Sequence, residues 1–399
     1  MAMQLKRPPH QPVPRYRAHT GPAILAQGFR TFFFAAGCWA AIAMAIWLGA
    51  MHGAIALPTG FPPSLWHAHE LVFGYGVAVV SGFMLTAIPN WTGRLPLQGA
   101  PLAGLAALWF AGRIVVAISA DVGPWIAGAI DTAYLVVLCG FVLREILAGR
   151  NWRNLPMPAA LALLALANAL THIGGELGVY GLRGGIAVLV VLIGLVGGRI
   201  VPSFTRNWLA KQGASEMPAP FGMIDRLMLA LLVIAMALWV AAPLWPGTGV
   251  AAGAAGIAAL IRLGRWRMPD TAPEPLLWVL HLGYLWLGIG LGLIAASPAW
   301  DVAPLAAVHA LTAGAIGTMT LAVMTRASLG HTGHALTADI WTSLIYVLVT
   351  AAALARIAAH AFAPHYAALV DIAGGLWFAA FALFVIRYTP VWLTRPKSG

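Results

Sequence analysis

The chain has 399 residues, of which 61% are hydrophobic and only 9% charged, and its mean hydropathy is +0.84. Soluble domains carry about a quarter charged residues, so a soluble enzyme is excluded and a polytopic membrane protein is expected. The net charge of +11 does not make a nucleic-acid interface, because the lysines and arginines stand singly or in small groups at the ends of apolar segments.

Residues 1–30 read as a basic, Pro-rich cytoplasmic leader without the apolar core and cleavage site of a signal peptide. Beyond it, hydropathy and Pro/Gly punctuation predict an all-α fold of about twelve transmembrane helices in one domain, residues 31–399. The first six spans lie near 31–51, 66–88, 101–119, 124–147, 157–174 and 184–204. The second six lie near 224–242, 247–264, 275–296, 304–326, 339–360 and 366–388. Continuous apolar runs exclude the alternating strands of an outer-membrane barrel. Nearly all Lys and Arg fall on one side of this arrangement, with Arg183 and Arg356 opposite and Arg113 inside a span. That bias places both termini in the cytoplasm. No internal sequence repeat is evident, and the loop at 206–222 reads as a linker between halves.

Ionisable residues inside a membrane are costly and therefore candidates for function. A rise of about 1.5 Å per residue converts position into depth. By that measure His67 and His69 lie within about 5 Å of the outer end of the second span, and His309 about 7 Å into the tenth. His172 closes the fifth span near the same surface, so four imidazoles on three helices share one layer. His67 and His69 point about 200° apart and face different neighbours. Glu70, three residues after His67, is placed to orient that ring. A second layer, about 33 Å from His309 at His331, holds His281 and His331 on the cytoplasmic side. Imidazole suits haem iron and copper. The two cysteines, Cys38 and Cys139, fall inside apolar segments and are too few for a thiolate iron–sulfur site.

Arg113 and Asp131 sit at similar depth on either side of a short turn, and a buried ion pair is the economical reading. The alternative has Arg113 binding a haem propionate. Three polar strings, "IPNWTGRLP", "GGRIVPSFTRNWL" and "VMTRASLGHTGHAL", all fall on the cytoplasmic face. They are either capped, anchored helix ends or one polar inner site built from Arg199, Arg206, Asn207 and His331.

Along almost its whole length the chain resembles the NnrS family of bacterial membrane proteins. The resemblance is carried by "WHAHELVFGYG", "LTAIPNWTGR", "GGRIVPSFTRNW", "LHLGYLWLGIGL" and "HALTAGAIGTMTLAVMTRASLGHTG", with Arg113 and Asp131. His334 departs from the pattern, standing where the family is expected to carry arginine. The resemblance implies a twelve-helix bacterial inner-membrane protein that carries haem b and copper and acts in the response to nitric oxide and nitrosative stress. It points to His67, His69, His172, His281, His309 and His331 without dividing the metals among them. A haem-dependent oxidoreductase acting on nitric oxide is within that expectation, with reduction, oxidation and simple binding all left open. By analogy with haem–copper oxidases, haem is expected between the second and tenth spans, on His309 and either helix 2 histidine, with a lean to His69. The competing readings are a quinol-linked cytochrome b-type enzyme using the inner polar cluster, and a transporter for a metal, haem or small anion.

Overall fold

The computed structural model describes residues 19–299 and 303–395; most of the expected leader, residues 1–18, lies outside the described residues. Among the described residues twelve helices are long and apolar enough to cross a membrane. They are α1 (Gly28–Met51), α2 (Pro63–Thr92), α3 (Ala100–Ala117), α4 (Pro124–Ala148), α5 (Trp152–Ile173) and α6 (Gly175–Lys211). The remainder are α7 (Met223–Ala241), α8 (Pro246–Gly264), α9 (Pro275–Ala296), α10 (Pro304–His331), α11 (Ile340–Ala361) and α12 (Ala363–Leu393).

Their ends follow from local chemistry. Pro occupies the first turn of α3, α4, α8 and α9, where its missing N–H costs nothing. Gly93, at φ 71°, closes α2 in the left-handed region. Asp339 caps α11 by accepting from the Thr342 amide at 2.8 Å. The main departure from expectation is α6, which begins at Gly175 rather than near 184. Arg183 therefore sits within the helix, not in a loop.

Each helix packs against the next in sequence, and α12 returns to pack on α1. Twelve crossings bring the chain back to the face from which α1 started, called here the terminal face; the other is the far face. The ring closes at Arg30, a buried residue of α1. Its Nη1 donates to the carbonyls of Val391 (3.2 Å), Trp392 (2.8 Å) and Thr394 (2.8 Å). These are carbonyls at the end of α12 that have no partner within the helix.

Among the most buried helices are α2, α6 and α10, one in every four. They are also long, at 30, 37 and 28 residues. Each departs from α-helical winding partway along, at Glu70–Gly76, Ile193–Gly197 and Ala310–Gly317, where the turns widen to π-helix. Such segments are rare and recur at functional sites.

Arg30→Met removes three charge-assisted bonds at the ring closure. It is expected to cost on the order of 2–4 kcal/mol, read as a lowered Tm of the detergent-solubilised protein.

Candidate functional site: a buried charge centre beside a histidine- and arginine-lined cavity

The widened turn of α2 begins at Glu70, directly after His69. In an α-helix two adjacent residues would point about 100° apart. Here both are fully buried and meet each other, His69 Nδ1 lying 3.0 Å from Glu70 Oε1. Glu70 therefore orients His69, not His67 as its spacing in the sequence suggested.

Around this pair five helices converge. Trp39 Nε1 of α1 donates to Glu70 Oε2 at 2.7 Å. Arg113 of α3 uses both arms of its fork: Nη1 donates to Glu70 Oε2 at 2.7 Å and Nη2 to Asp131 Oδ1 of α4. Asn168 of α5 donates from Nδ2 to Asp131 Oδ2 at 2.9 Å and lies 2.9 Å from His69 Nε2 through Oδ1. His172, one turn further on, places Nε2 3.1 Å from the same Asp131 oxygen. His69 Nε2 is 3.2 Å from it.

Glycines permit this approach. A Cβ on Gly112 would come within 2.7 Å of Asp131 Oδ1, and one on Gly74 within 2.8 Å of Arg113 Nη1. Phe61, from the loop before α2, covers the imidazoles on the far face, its ring 5.3 Å from those of both His69 and His172.

Two features of this centre are chemical. One atom from each of His69, Asp131 and His172 lies within 4.8 Å of the others, so the three could hold a metal ion. Two imidazoles and a carboxylate suit copper, zinc or iron(II). The fixed charges are one guanidinium against two carboxylates, so neutrality in a dry interior requires one more positive charge, from a proton or a metal.

His67 faces the other way, as helix geometry predicts, and lines a cavity of about 670 Å³ between α1, α2, α6, α7, α10, α11 and α12. His309 lines the same cavity, as do Arg183 and Arg356, and no carboxylate of the described residues does. The His67 ring stacks on Trp47, centroids 4.1 Å apart, and its buried Nδ1 has no hydrogen-bond partner among the described residues. His309 donates from Nδ1 to the Leu305 carbonyl at 2.8 Å, which leaves Nε2 as the nitrogen with a free lone pair. Arg356 meets His360 at 2.9 Å. The Arg183 guanidinium makes no hydrogen bond or ion pair with a described residue.

The expected layer of four imidazoles thus divides in two: His69 with His172 in the charge centre, His67 with His309 on the cavity. Arg113 belongs to the first and does not line the second. His281 is buried with both nitrogens occupied, Nδ1 by the Leu277 carbonyl at 3.1 Å and Nε2 near the Trp266 carbonyl at 3.3 Å. His331 lies against the Phe29 ring, centroids 5.6 Å apart. Arg206 is exposed and donates to the Pro218 carbonyl at 2.7 Å, and Asn207 is exposed beside it. No hydrogen bond or ion pair joins Arg199, Arg206, Asn207 and His331 to one another among the described residues. Asn168 was missed from the sequence, although it precedes His172 by four residues and so shares its helix face.

Fold and site together define a multi-pass helical membrane protein with a metal-competent histidine–carboxylate centre next to a basic, histidine-lined cavity. The chain belongs to the NnrS family: residues 23–397 match the family described as NnrS protein. No curated protein matches it.

Removing Arg113 alone leaves two buried carboxylates with too little positive charge. Arg113→Met is expected to destabilise the fold by about 3–5 kcal/mol, and the double change Arg113→Met with Asp131→Asn to recover part of that loss. Thermal unfolding of the purified variants checks both.

Proposed function

We propose that this protein is a haem- and copper-binding protein of the bacterial inner membrane acting in nitric oxide metabolism. In this reading His67 and His309 hold haem b in the large cavity, and His69, Asp131 and His172 hold copper. The single observation that carries the haem assignment is the makeup of that cavity. Its described residues offer two imidazoles and two guanidiniums, no carboxylate, and otherwise mostly apolar walls.

These residues fit the group. Haem iron takes imidazole nitrogen, the porphyrin faces need apolar contact, and the two propionates need cationic donors. A cavity of about 670 Å³ is within the usual range of cofactor sites, about 300–1,000 Å³. The His67 Nδ1 is a buried polar atom with no partner among the described residues, and the half-buried Arg183 guanidinium that lines the cavity has none either.

The work of the chain is orientation and exclusion. Leu305 fixes the His309 tautomer so that Nε2 is presented, and Trp47 holds the His67 ring by stacking. Arg183 and Arg356 bind and position the anionic edge. Trp377 and the aliphatic side chains of α6 and α10 keep water from the interior of the cavity. When bound, haem supplies one-electron chemistry and, where a coordination position opens, affinity for nitric oxide. The Lys/Arg bias supports placing the terminal face in the cytoplasm and the cavity toward the outside. This reading does not use Arg199, Arg206, Asn207 and His331, which no hydrogen bond or ion pair joins to one another among the described residues.

The test is a redox-resolved absorption spectrum with metal analysis on protein expressed with ample haem. His67→Ala and His309→Ala are each expected to abolish most of the Soret absorbance. His69→Ala and His172→Ala are expected to retain it and lose copper. A Soret band that survives both of the first two substitutions overturns the assignment. Arg183→Gln, which keeps the polarity but removes the charge, is expected to weaken haem retention about tenfold, close to 1.4 kcal/mol, in transfer to apomyoglobin.

A further inference from the structure

Below the large cavity, toward the middle of the bundle, lies a second one of about 80 Å³. It is bounded by α2, α6 and α10, with Met157 of α5, and receives residues from all three widened turns: Gly76, Ile193 and Ile316 among them. Its lining is aliphatic and aromatic apart from one hydroxyl, Thr320. That hydroxyl is already engaged, with the Ile316 carbonyl at 2.6 Å, the Gly317 carbonyl at 3.0 Å and the Tyr75 hydroxyl. Water needs about two to four polar partners to settle in a cavity. This one offers none that is free, so it is dry.

Leu189 and Ile316 line both cavities, and the Tyr75–Thr320 bond joins a wall of one to a wall of the other. The two spaces are therefore neighbours separated by a few side chains. On the other side Val80, Phe83 and Val196 are only half-buried, which brings one wall of the small cavity to the molecular surface near the middle of α2. There the surrounding medium is hydrocarbon.

We propose that this cavity is a docking site for a small uncharged apolar gas on its way from the bilayer to the large cavity, passing Leu189 and Ile316. The occupant follows from size and polarity. A space of about 80 Å³ is smaller than the 150 Å³ engineered apolar cavity that takes benzene or xenon, and large against the ~10–15 Å³ needed by one water. It fits a diatomic molecule or a xenon atom and is too small for a quinone ring with its tail. An apolar gas concentrates in hydrocarbon and loses nothing on entering a dry apolar space. A charged or strongly hydrogen-bonding substrate would lose its hydration without replacement. This inference deepens the proposed function and rests on it for the destination of the gas, though not for the cavity itself.

The test has two arms. Xenon-pressurised protein, with or without haem, is expected to show xenon among Val79, Leu192 and Met319 in the wild type and none there in Val79→Phe. This arm reads the cavity even if the haem assignment fails. Absence of xenon from the wild type, or an ordered acyl or detergent chain in its place, overturns the docking site. In the second arm, carbon monoxide rebinding is followed after photolysis of the reduced haem protein. Val79→Phe and Leu189→Phe are expected to slow bimolecular rebinding at least about threefold. Val136→Phe, on an exposed position of α4, is the control and should leave the rate as it is. Equal rates in all four proteins overturn the route.

Discussion

One guanidinium shared between two carboxylates is the constraint around which this molecule is arranged. Arg113 binds Glu70 on α2 and Asp131 on α4 at once. Charges of this kind cannot be left alone in a medium of low dielectric constant, so three helices are bound to a common point. The positions of Asn168, His69 and His172 then follow, because each makes its polar contact to one of those two carboxylates. The centre is also short of one positive charge. A bundle built only for stability would close that balance with a second arginine. Here the opening is filled by two imidazoles, groups able to take either a proton or a metal.

The second constraint is the shape of α2, α6 and α10. Widened turns in α2, α6 and α10 interrupt the regular ladder and re-aim the side chains that follow. In α2 the effect can be read at single residues. His67 is directed to the large cavity, while His69 and Glu70, adjacent in sequence, are both drawn into the charge centre. The same three segments wall the small dry cavity. The two cavities and the charge centre thus meet where helical regularity is locally given up, while Arg113, Asp131, Asn168 and His172 come from helices without such a turn.

Much of the fold was legible in the sequence because its signal is coarse. Twelve apolar runs, each about as long as a bilayer is thick, specify twelve helices whatever their packing. The Arg113–Asp131 pair was legible for a related reason, since two opposite charges at one depth have few alternatives. Angular separation on an ideal helix also placed His67 and His69 on different sides correctly. What could not be read was partnership across helices. Depth alone put four histidines in one layer, whereas the lateral packing of α4 and α5 against α2 sorts them into two sites. Glu70 was given to His67 by ideal i, i+3 spacing, and the widened turn gives it to His69. Arg183 was misplaced because the Gly-rich start of α6, "GGELGVYGLRGG", reads as loop and is helix.

The closure of the ring at Arg30 has a consequence for how the protein is made. Arg30 and its acceptor Val391 are 361 residues apart. At synthesis rates of about 5–20 residues per second, roughly 20–70 s elapse between them. For that interval the first helix carries a guanidinium near one end of the membrane span with its final acceptors not yet in existence. The nascent bundle must remain an open arc until its last helix arrives, held meanwhile by the contacts of α1 with α2 and by the charge centre, all of whose members lie before residue 173. The half of the molecule that gathers the metal-competent residues is thus the half that is complete first, and the cavity bounded by α10, α11 and α12 takes form only at the end of translation.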